Sequence, residues 1–307
     1  MAKKKTKKRR KRKPGELVGR SPAALFRFAV RDLENRGIID ASVLGQMSPE
    51  ELERDGARLV EAADSPRELV EALPTLRRAA IRLWEIKVRD LPAAEVAPLL
   101  GDVLDQLYTH SNEAQRERMY DGVIGALRWM EVPGAEVLMS RFEGLPPTAA
   151  CRAAVALGLM GRTDAADYMR DLYLAVREQP GFDHAGALWG LIDLHDYRVA
   201  MLLVDEFKRE PRLPELYDLC VLSGHPSLVP PLLIDLHDSR AREPLDALYA
   251  IYWRGGREAF LKAASAAGIG EASIAPLADV FAESEPSQQQ MSALWGEPTS
   301  VVPDPTR

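Results

Sequence analysis

Residues 153–173 read AAVALGLMGRTDAADYMRDLY and decide the fold. An apolar pair at helical spacing, Leu157 and Met160, is followed by Gly161, which can end a helix, and by Asp164, which can cap the next one. The same apolar phrase recurs as Leu127 with Met130, Leu191 with Leu194, Leu219 with Leu222 and Leu248 with Ile251. Its leading leucines are 30, 34, 28 and 29 residues apart. A helical unit repeated at such an interval predicts an all-α protein built as an α-solenoid.

Turn-forming residues divide the chain into helix pairs from about Pro74 onward. Two of the predicted breaks are Val132-Pro133-Gly134 and Gly255-Gly256. Pro230-Pro231 are tolerable only in a first helical turn, so that helix should begin near Ser227 or Leu228. The predicted pairs are 75–89 with 93–109, 112–131 with 134–143, 148–160 with 164–178, 183–195 with 198–209, 214–223 with 227–237, and 244–254 with 257–267.

The unit around Leu157 resembles the short HEAT-like repeat of phycobilisome lyases and many bacterial scaffold proteins. Ala156-Leu157-Gly158, Met160-Gly161 and Asp164-Ala165 carry the resemblance. It implies an array of antiparallel helix pairs, in which small residues let the two helices of a pair cross closely. The general pattern covers residues from about Pro74 to Ala267.

Composition predicts four segments. Residues 1–15 form a disordered polybasic arm, 16–73 a helical N-terminal cap, 74–282 the solenoid, and 283–307 a polar, Pro-rich disordered tail. In the cap, a helix should run from Ser21 to about Arg36. Ser48-Pro49-Glu50-Glu51 and Ser65-Pro66-Arg67-Glu68 each match a reciprocal capping box.

Charge is strongly segregated along the chain. Ten of the residues 3–13 are basic, whereas the other residues include 30 basic and 46 acidic side chains. The acidic body favours a basic protein partner, and the arm could bind nucleic acid or another polyanion. The arm could equally be an import signal, a membrane-binding segment or a solubilising tail. The candidate polyanion-binding residues are Lys3, Lys4, Lys5, Lys7, Lys8, Arg9, Arg10, Lys11, Arg12 and Lys13.

Cysteine content and hydropathy bear on the compartment. Cys151 and Cys220 lie in separate apolar helical stretches, so we expect buried, reduced thiols rather than a disulfide or metal site. The basic start is not followed by the apolar segment of a secretory signal, and no apolar run is long enough to span a bilayer. These features predict a cytoplasmic protein, or a nuclear one if the source is eukaryotic.

A duplicated octet is the strongest candidate for chemistry. LIDLHDYR occupies residues 191–198 and LIDLHDSR residues 233–240. His and Asp could bind a divalent metal, but each octet falls at a predicted helix end, where these residue types favour the helix terminus. We therefore interpret both octets structurally and expect no catalytic residue, metal or cofactor. The nearest candidates for an enzyme would be Trp189, Asp193 and His195.

The tryptophans could suggest nucleic-acid stacking, but Trp129, Trp189 and Trp253 occupy different positions of the repeat, so core or groove packing is the simpler interpretation. In the tail, Met291, Leu294 and Trp295 could form one face of a short anchoring helix.

The sequence favours a non-enzymatic scaffold or adaptor that presents a solenoid groove to a protein. The alternative is an enzyme on a HEAT-like framework, either a tetrapyrrole-protein lyase or a nucleic-acid glycosylase.

Overall fold

The computed structural model describes residues 48–54, 56–107, 113–179, 185–239 and 243–286. These ranges are helical and contain no β-strand, which confirms the all-α prediction. None of their helices is long and apolar enough to cross a lipid bilayer. The helices are α1 Pro49–Arg54, α2 Ala57–Ala62, α3 Pro66–Ala72, α4 Arg78–Arg89, α5 Ala93–Leu107, α6 Glu113–Arg128, α7 Glu131–Arg141, α8 Pro147–Leu159, α9 Ala166–Val176, α10 Ala185–Asp193, α11 Arg198–Glu206, α12 Leu216–Ser223, α13 Val229–Ser239, α14 Glu243–Ala266 and α15 Glu271–Ala282.

The described chain forms two compact units, residues 48–199 and 200–286, and the division falls within α11. The observed helices match the predicted pairs to within a few residues at most ends. The predicted break at Gly255-Gly256 is confirmed, because Gly256 is non-helical (φ 80°, ψ 165°) and divides α14 into two helices that meet at a kink. Helix α15 has no counterpart among the predicted pairs. The predicted helix at 21–36 lies outside the described residues.

Both predicted capping boxes form hydrogen bonds at helix starts. The Ser48 hydroxyl accepts from the Glu51 amide at 3.2 Å, and the Glu51 carboxylate accepts from the Ser48 amide at 2.9 Å. The Ser65 hydroxyl accepts from the Glu68 amide at 3.2 Å, but the Glu68 carboxylate binds the amide of Asp64 instead of that of Ser65. Pro230-Pro231 lie in the first turn of α13, as predicted.

In the N-terminal unit, the first helices of successive pairs form a row. Helices α4, α6, α8 and α10 pack each against the next, while the second helices α5 and α7 lie on α6, and α9 lies on α8 and α10. The closest approach is between α8 and α10. A Cβ on Gly158 would lie 2.6 Å from the Gly190 carbonyl oxygen, so this glycine serves the contact between neighbouring pairs rather than the expected crossing within its own pair.

Three first helices of this row end in a left-handed residue four positions after the repeated leucine. These residues are Glu131 (φ 49°), Gly161 (φ 69°) and His195 (φ 53°). After Gly161 the Arg162 amide donates to the Leu157 carbonyl at 3.0 Å, and the corresponding bond after His195 joins the amide of Asp196 to the carbonyl of Leu191. Both bonds are those of a Schellman helix end. Gly161 thus ends α8 as predicted, and His195 takes the same structural position.

The two sets of helices differ in charge. The first helices α4, α6, α8 and α10 carry eight basic and five acidic residues. The second helices α5, α7 and α9 carry seven acidic and two basic residues. Among these seven helices, the excess of acidic residues is therefore confined to the second helices.

In the C-terminal unit, α14 and α15 share a cluster of aromatic rings. Phe281 lies 5.4 to 5.9 Å, between ring centres, from Tyr249, Tyr252 and Phe260. Cys151 and Cys220 are both buried free thiols, as predicted, and burial raises the pKa of the Cys220 thiol.

Candidate docking cleft around Trp129

A cleft of about 510 Å³ opens at one end of the first helices α6 and α8 in the N-terminal unit. Its walls come from the α6–α7 turn with the first turns of α7, and from the end of α8 with the residues that follow. The cleft is lined by Arg128, Trp129, Glu131, Val132, Ala135, Leu159, Met160 and Arg162. This volume falls within the range of sites that bind a small molecule or the side chains of a partner.

The α6–α7 turn places Trp129 at the surface. The amides of Trp129 and Met130 donate to the carbonyls of Ala126 and Leu127, each at 3.0 Å, which tightens the end of α6. Met130 then takes the core position and is 3% exposed, whereas the Trp129 side chain is 47% exposed. Of the two expected alternatives, core packing is therefore wrong for Trp129, which takes groove packing instead.

The predicted break at Val132-Pro133-Gly134 is also wrong, since these residues form the first turn of α7. Proline is tolerated there because the first-turn amides need no intrahelical acceptor. A Cβ on Gly134 would lie 1.9 Å from the Leu127 carbonyl oxygen, so only glycine allows α7 to begin directly on the end of α6. This close start leaves Val132 62% exposed in the cleft wall.

Two guanidinium groups lie against the Trp129 ring. The Cζ atoms of Arg89 and Arg128 are 4.1 and 4.9 Å from the ring centre, within the range of cation–π attraction. Arg89 is held in turn by Glu85, whose carboxylate accepts from Nη2 at 2.9 Å and is only 1% exposed. Gly125 makes room for Glu85, because a Cβ there would lie 2.6 Å from Oε1. An ion pair with a buried carboxylate thus holds Arg89 against one side of the exposed ring.

Arg162 stands on the opposite wall and pairs with Asp164. Its Nε and Nη2 donate to the two carboxylate oxygens at 2.9 and 2.6 Å, and this hydrogen bonding lowers the pKa of Asp164. Asp164 was expected to cap the second helix of its pair. That expectation is wrong, because α9 begins with no side-chain cap and the carboxylate is engaged by Arg162.

The lining of the cleft combines apolar and charged groups. Its lining offers an indole, aliphatic side chains, two guanidinium groups and one carboxylate, that of Glu131. Such a set can hold an apolar side chain and form charge-assisted hydrogen bonds at the rim. Elsewhere in the described ranges no group of three or more His, Cys, Asp or Glu is arranged to hold a metal ion.

The first octet acts at a helix end and does not line the cleft. Trp189 is 5% exposed in the core, Asp193 is the last residue of α10, and His195 is exposed in its left-handed conformation. The Asp196 carboxylate accepts from the backbone amide and from the guanidinium of Arg198 at the start of α11. The three enzyme candidates therefore do not converge in this cleft.

The second octet contributes a buried carboxylate to the C-terminal unit. Asp235, in α13, accepts hydrogen bonds from Arg212 and from the Tyr217 hydroxyl, the latter at 2.8 Å. Burial and the hydrogen bond to Asp235 raise the pKa of Tyr217 to about 12. This network ties the segment before α12 to α13.

The remaining sequence candidates divide into two groups. His225 caps the helical turn that follows it, because its Nδ1 accepts from the amide of Ser227 at 3.2 Å. The others lie outside the described residues, namely His110, His184, the ten basic residues of the arm from Lys3 to Lys13, and the tail anchors Met291, Leu294 and Trp295.

No local signal in the sequence identifies Trp129 as exposed. It stands two residues after the repeated leucine, where the other units have Leu159, Asp193, Val221 and Ala250. Val221 and Ala250 are fully buried, so this position of the repeat does not by itself predict exposure. Comparisons with protein-family models, curated proteins and solved structures found no match to this chain.

Proposed function

We propose that this protein is a non-enzymatic scaffold that binds a protein partner through the Trp129 cleft. The observation that carries the proposal is a large exposed aromatic ring that packs against Arg89, which is held in turn by the buried carboxylate of Glu85. The helix pairs would be HEAT-like units of an α-solenoid, an assignment supported by the resemblance around Leu157 and by the row of first helices in the N-terminal unit.

Preorganisation of the Trp129 ring favours binding at this cleft. Solvent exposure of Trp129 and Val132 leaves apolar surface unburied, and exposed apolar surface with a polar rim is typical of interaction sites. A ring already held by Arg89 loses little conformational freedom on binding, so more of the contact energy contributes to affinity. Tryptophan and arginine are also the residue types enriched at energetically dominant interface positions.

Selection from a displayed library of random peptides tests this proposal. Peptides enriched on the wild-type protein should bind Trp129→Ala about 30-fold more weakly, as expected for a dominant interface residue. Tyr197→Ala is the matched control, since Tyr197 is 53% exposed in the same unit but does not line the cleft. Enriched peptides that bind wild type and Trp129→Ala equally would refute the proposal, as would a failure to enrich any Trp129-dependent peptide.

A second proposed activity rests on the basic run at residues 3–13. Ten cations in eleven positions favour salt-sensitive, sequence-independent attraction to a polyanion. Deletion of residues 1–13 should abolish binding to duplex DNA in a filter assay while leaving the helical circular dichroism unchanged. Retained binding would assign polyanion recognition to the helical body.

A further inference from the structure

We infer that the segment bound by the Trp129 cleft carries a carboxylate beside its apolar anchor, so that the cleft recognises a short acidic and apolar peptide. This inference rests on the proposed function and specifies the chemistry of the partner at the same site.

The charge of the cleft differs in sign from that of the second helices. The second helices α5, α7 and α9 carry seven acidic and two basic residues, but two of the three charged residues that line the cleft are Arg128 and Arg162. The charged lining of the cleft is therefore mainly cationic, like the first helices from which Arg128 comes and unlike the second helices. A peptide with a single carboxylate can use the two guanidinium groups. A long polyanion would in addition meet Glu131 and the acidic second helices, which disfavours nucleic acid at this site.

Arg128 lies where it can bind a carboxylate next to an apolar side chain packed on Trp129. Its Cζ lies 4.9 Å from the centre of the Trp129 ring. An apolar side chain that packs on the exposed part of this ring therefore brings its neighbouring residues within reach of the guanidinium. Arginine presents several N–H donors in a planar fork, which matches the geometry of a carboxylate.

Arg162 already binds the carboxylate of Asp164, which the carboxylate of a partner can replace. Asp164 binds the Nε and Nη2 atoms of Arg162, and the side chains of these two residues are 56% and 28% exposed. Exposed ion pairs contribute little to stability, so a carboxylate from a partner can share the guanidinium or replace Asp164 at small cost. Asp164 therefore occupies Arg162 in the free protein much as the partner carboxylate would in the complex.

The test uses a peptide enriched in a Trp129-dependent manner and its variant with each Asp or Glu replaced by Asn or Gln. Affinities for the wild-type protein are measured by fluorescence anisotropy. We expect the neutral variant to bind roughly tenfold more weakly, as for loss of one charge-assisted hydrogen bond. This comparison requires no protein variant, so misfolding cannot obscure it.

Protein variants then locate the contact. Arg128→Gln and Arg162→Gln should each weaken the acidic peptide by about three- to tenfold and leave the neutral peptide almost unchanged, whereas Asp164→Asn should tighten it by about two- to fivefold. Arg170→Gln is the control, because Arg170 is partly exposed on α9 outside the cleft.

The outcomes of these experiments distinguish the inference about the carboxylate from the proposed function of the cleft. Trp129-dependent peptides with no preference for a carboxylate would overturn the inference and leave the proposed function intact. An acidic preference that Arg128→Gln and Arg162→Gln both leave unchanged would also overturn it. Absence of any Trp129-dependent peptide would overturn both.

Discussion

The close contact between α8 and α10 predicts that Gly190→Ala lowers the stability of the protein, although Gly→Ala inside a helix usually raises it. In the interior of an exposed helix, Gly→Ala stabilises a protein by roughly 1 kcal/mol. Gly190 lies inside α10, but a Cβ there would lie 2.5 Å from the Ala154 carbonyl oxygen and 2.8 Å from the sulfur of Met169. We therefore expect Gly190→Ala to destabilise the N-terminal unit.

The magnitude follows from what has to move. The carbonyl of Ala154 belongs to the backbone of α8, so relief of the overlap requires the two helices to separate by nearly an ångström along their contact. Overpacking of this kind costs about 1–3 kcal/mol, and a clash with backbone belongs at the upper end of that range. After subtraction of the propensity gain, the expected net loss is about 1–2 kcal/mol in the free energy of unfolding.

Urea unfolding followed by far-ultraviolet circular dichroism would measure this loss, with thermal melting as a second readout. For a unit of this size the corresponding fall in Tm is about 2–8 °C. Gly144→Ala is the control, since a Cβ at Gly144 meets no atom within 4 Å and should change stability little. If Gly190→Ala proved as stable as the wild type or more stable, the close packing of α8 on α10 would be refuted.

Three further predictions concern other parts of the chain. His195→Gly should stabilise the protein by about 0.5–1 kcal/mol in urea unfolding, because glycine adopts positive φ without the strain of a side chain; an unchanged or lower stability would contradict the left-handed helix end. Glu85→Gln should cost about 2–3 kcal/mol and make Trp129 fluorescence more readily quenched by acrylamide, because Arg89 loses its buried anionic partner; quenching equal to wild type would show that Glu85 does not fix the ring. Above pH 10 the unfolded Tyr217 ionises while the folded hydroxyl, with its pKa raised to about 12, stays protonated, so stability should fall between these values. The loss should be smaller in Tyr217→Phe, and equal slopes against pH in the two proteins would contradict the raised pKa.

The helices could be predicted from the sequence because their signals are local. Apolar spacing, Ser-Pro starts and glycine stops act within a few residues, and helix pairs such as α4 with α5 were placed accordingly. The interpretation of the first octet as a helix end is confirmed, since His195 and Asp196 act on the backbone next to them. In the second octet Asp235 instead binds Arg212 and Tyr217 from inside α13. The assignment to a HEAT-like family stays a prediction.

The errors arose where distant contacts decide the outcome. Val132-Pro133-Gly134 reads as a break, but the close approach of Gly134 to Leu127 makes it a helix start. The sequence left core and groove packing open for Trp129, and the tertiary structure gives the buried position to its neighbour Met130. The burial of Glu85 depends on space left by a glycine 40 residues later in the chain, which no local pattern encodes.

The space that Gly125 leaves for the Glu85 carboxylate has an evolutionary consequence. Any side chain larger than hydrogen at position 125 would displace the Oε1 atom that binds Arg89, so Glu85 and Gly125 are expected to change together. Homologous proteins that retain Trp129 should also retain Glu85, Arg89 and Gly125. Lineages that have lost one of the four are expected to have lost the others, and with them the selection that preserves the cleft.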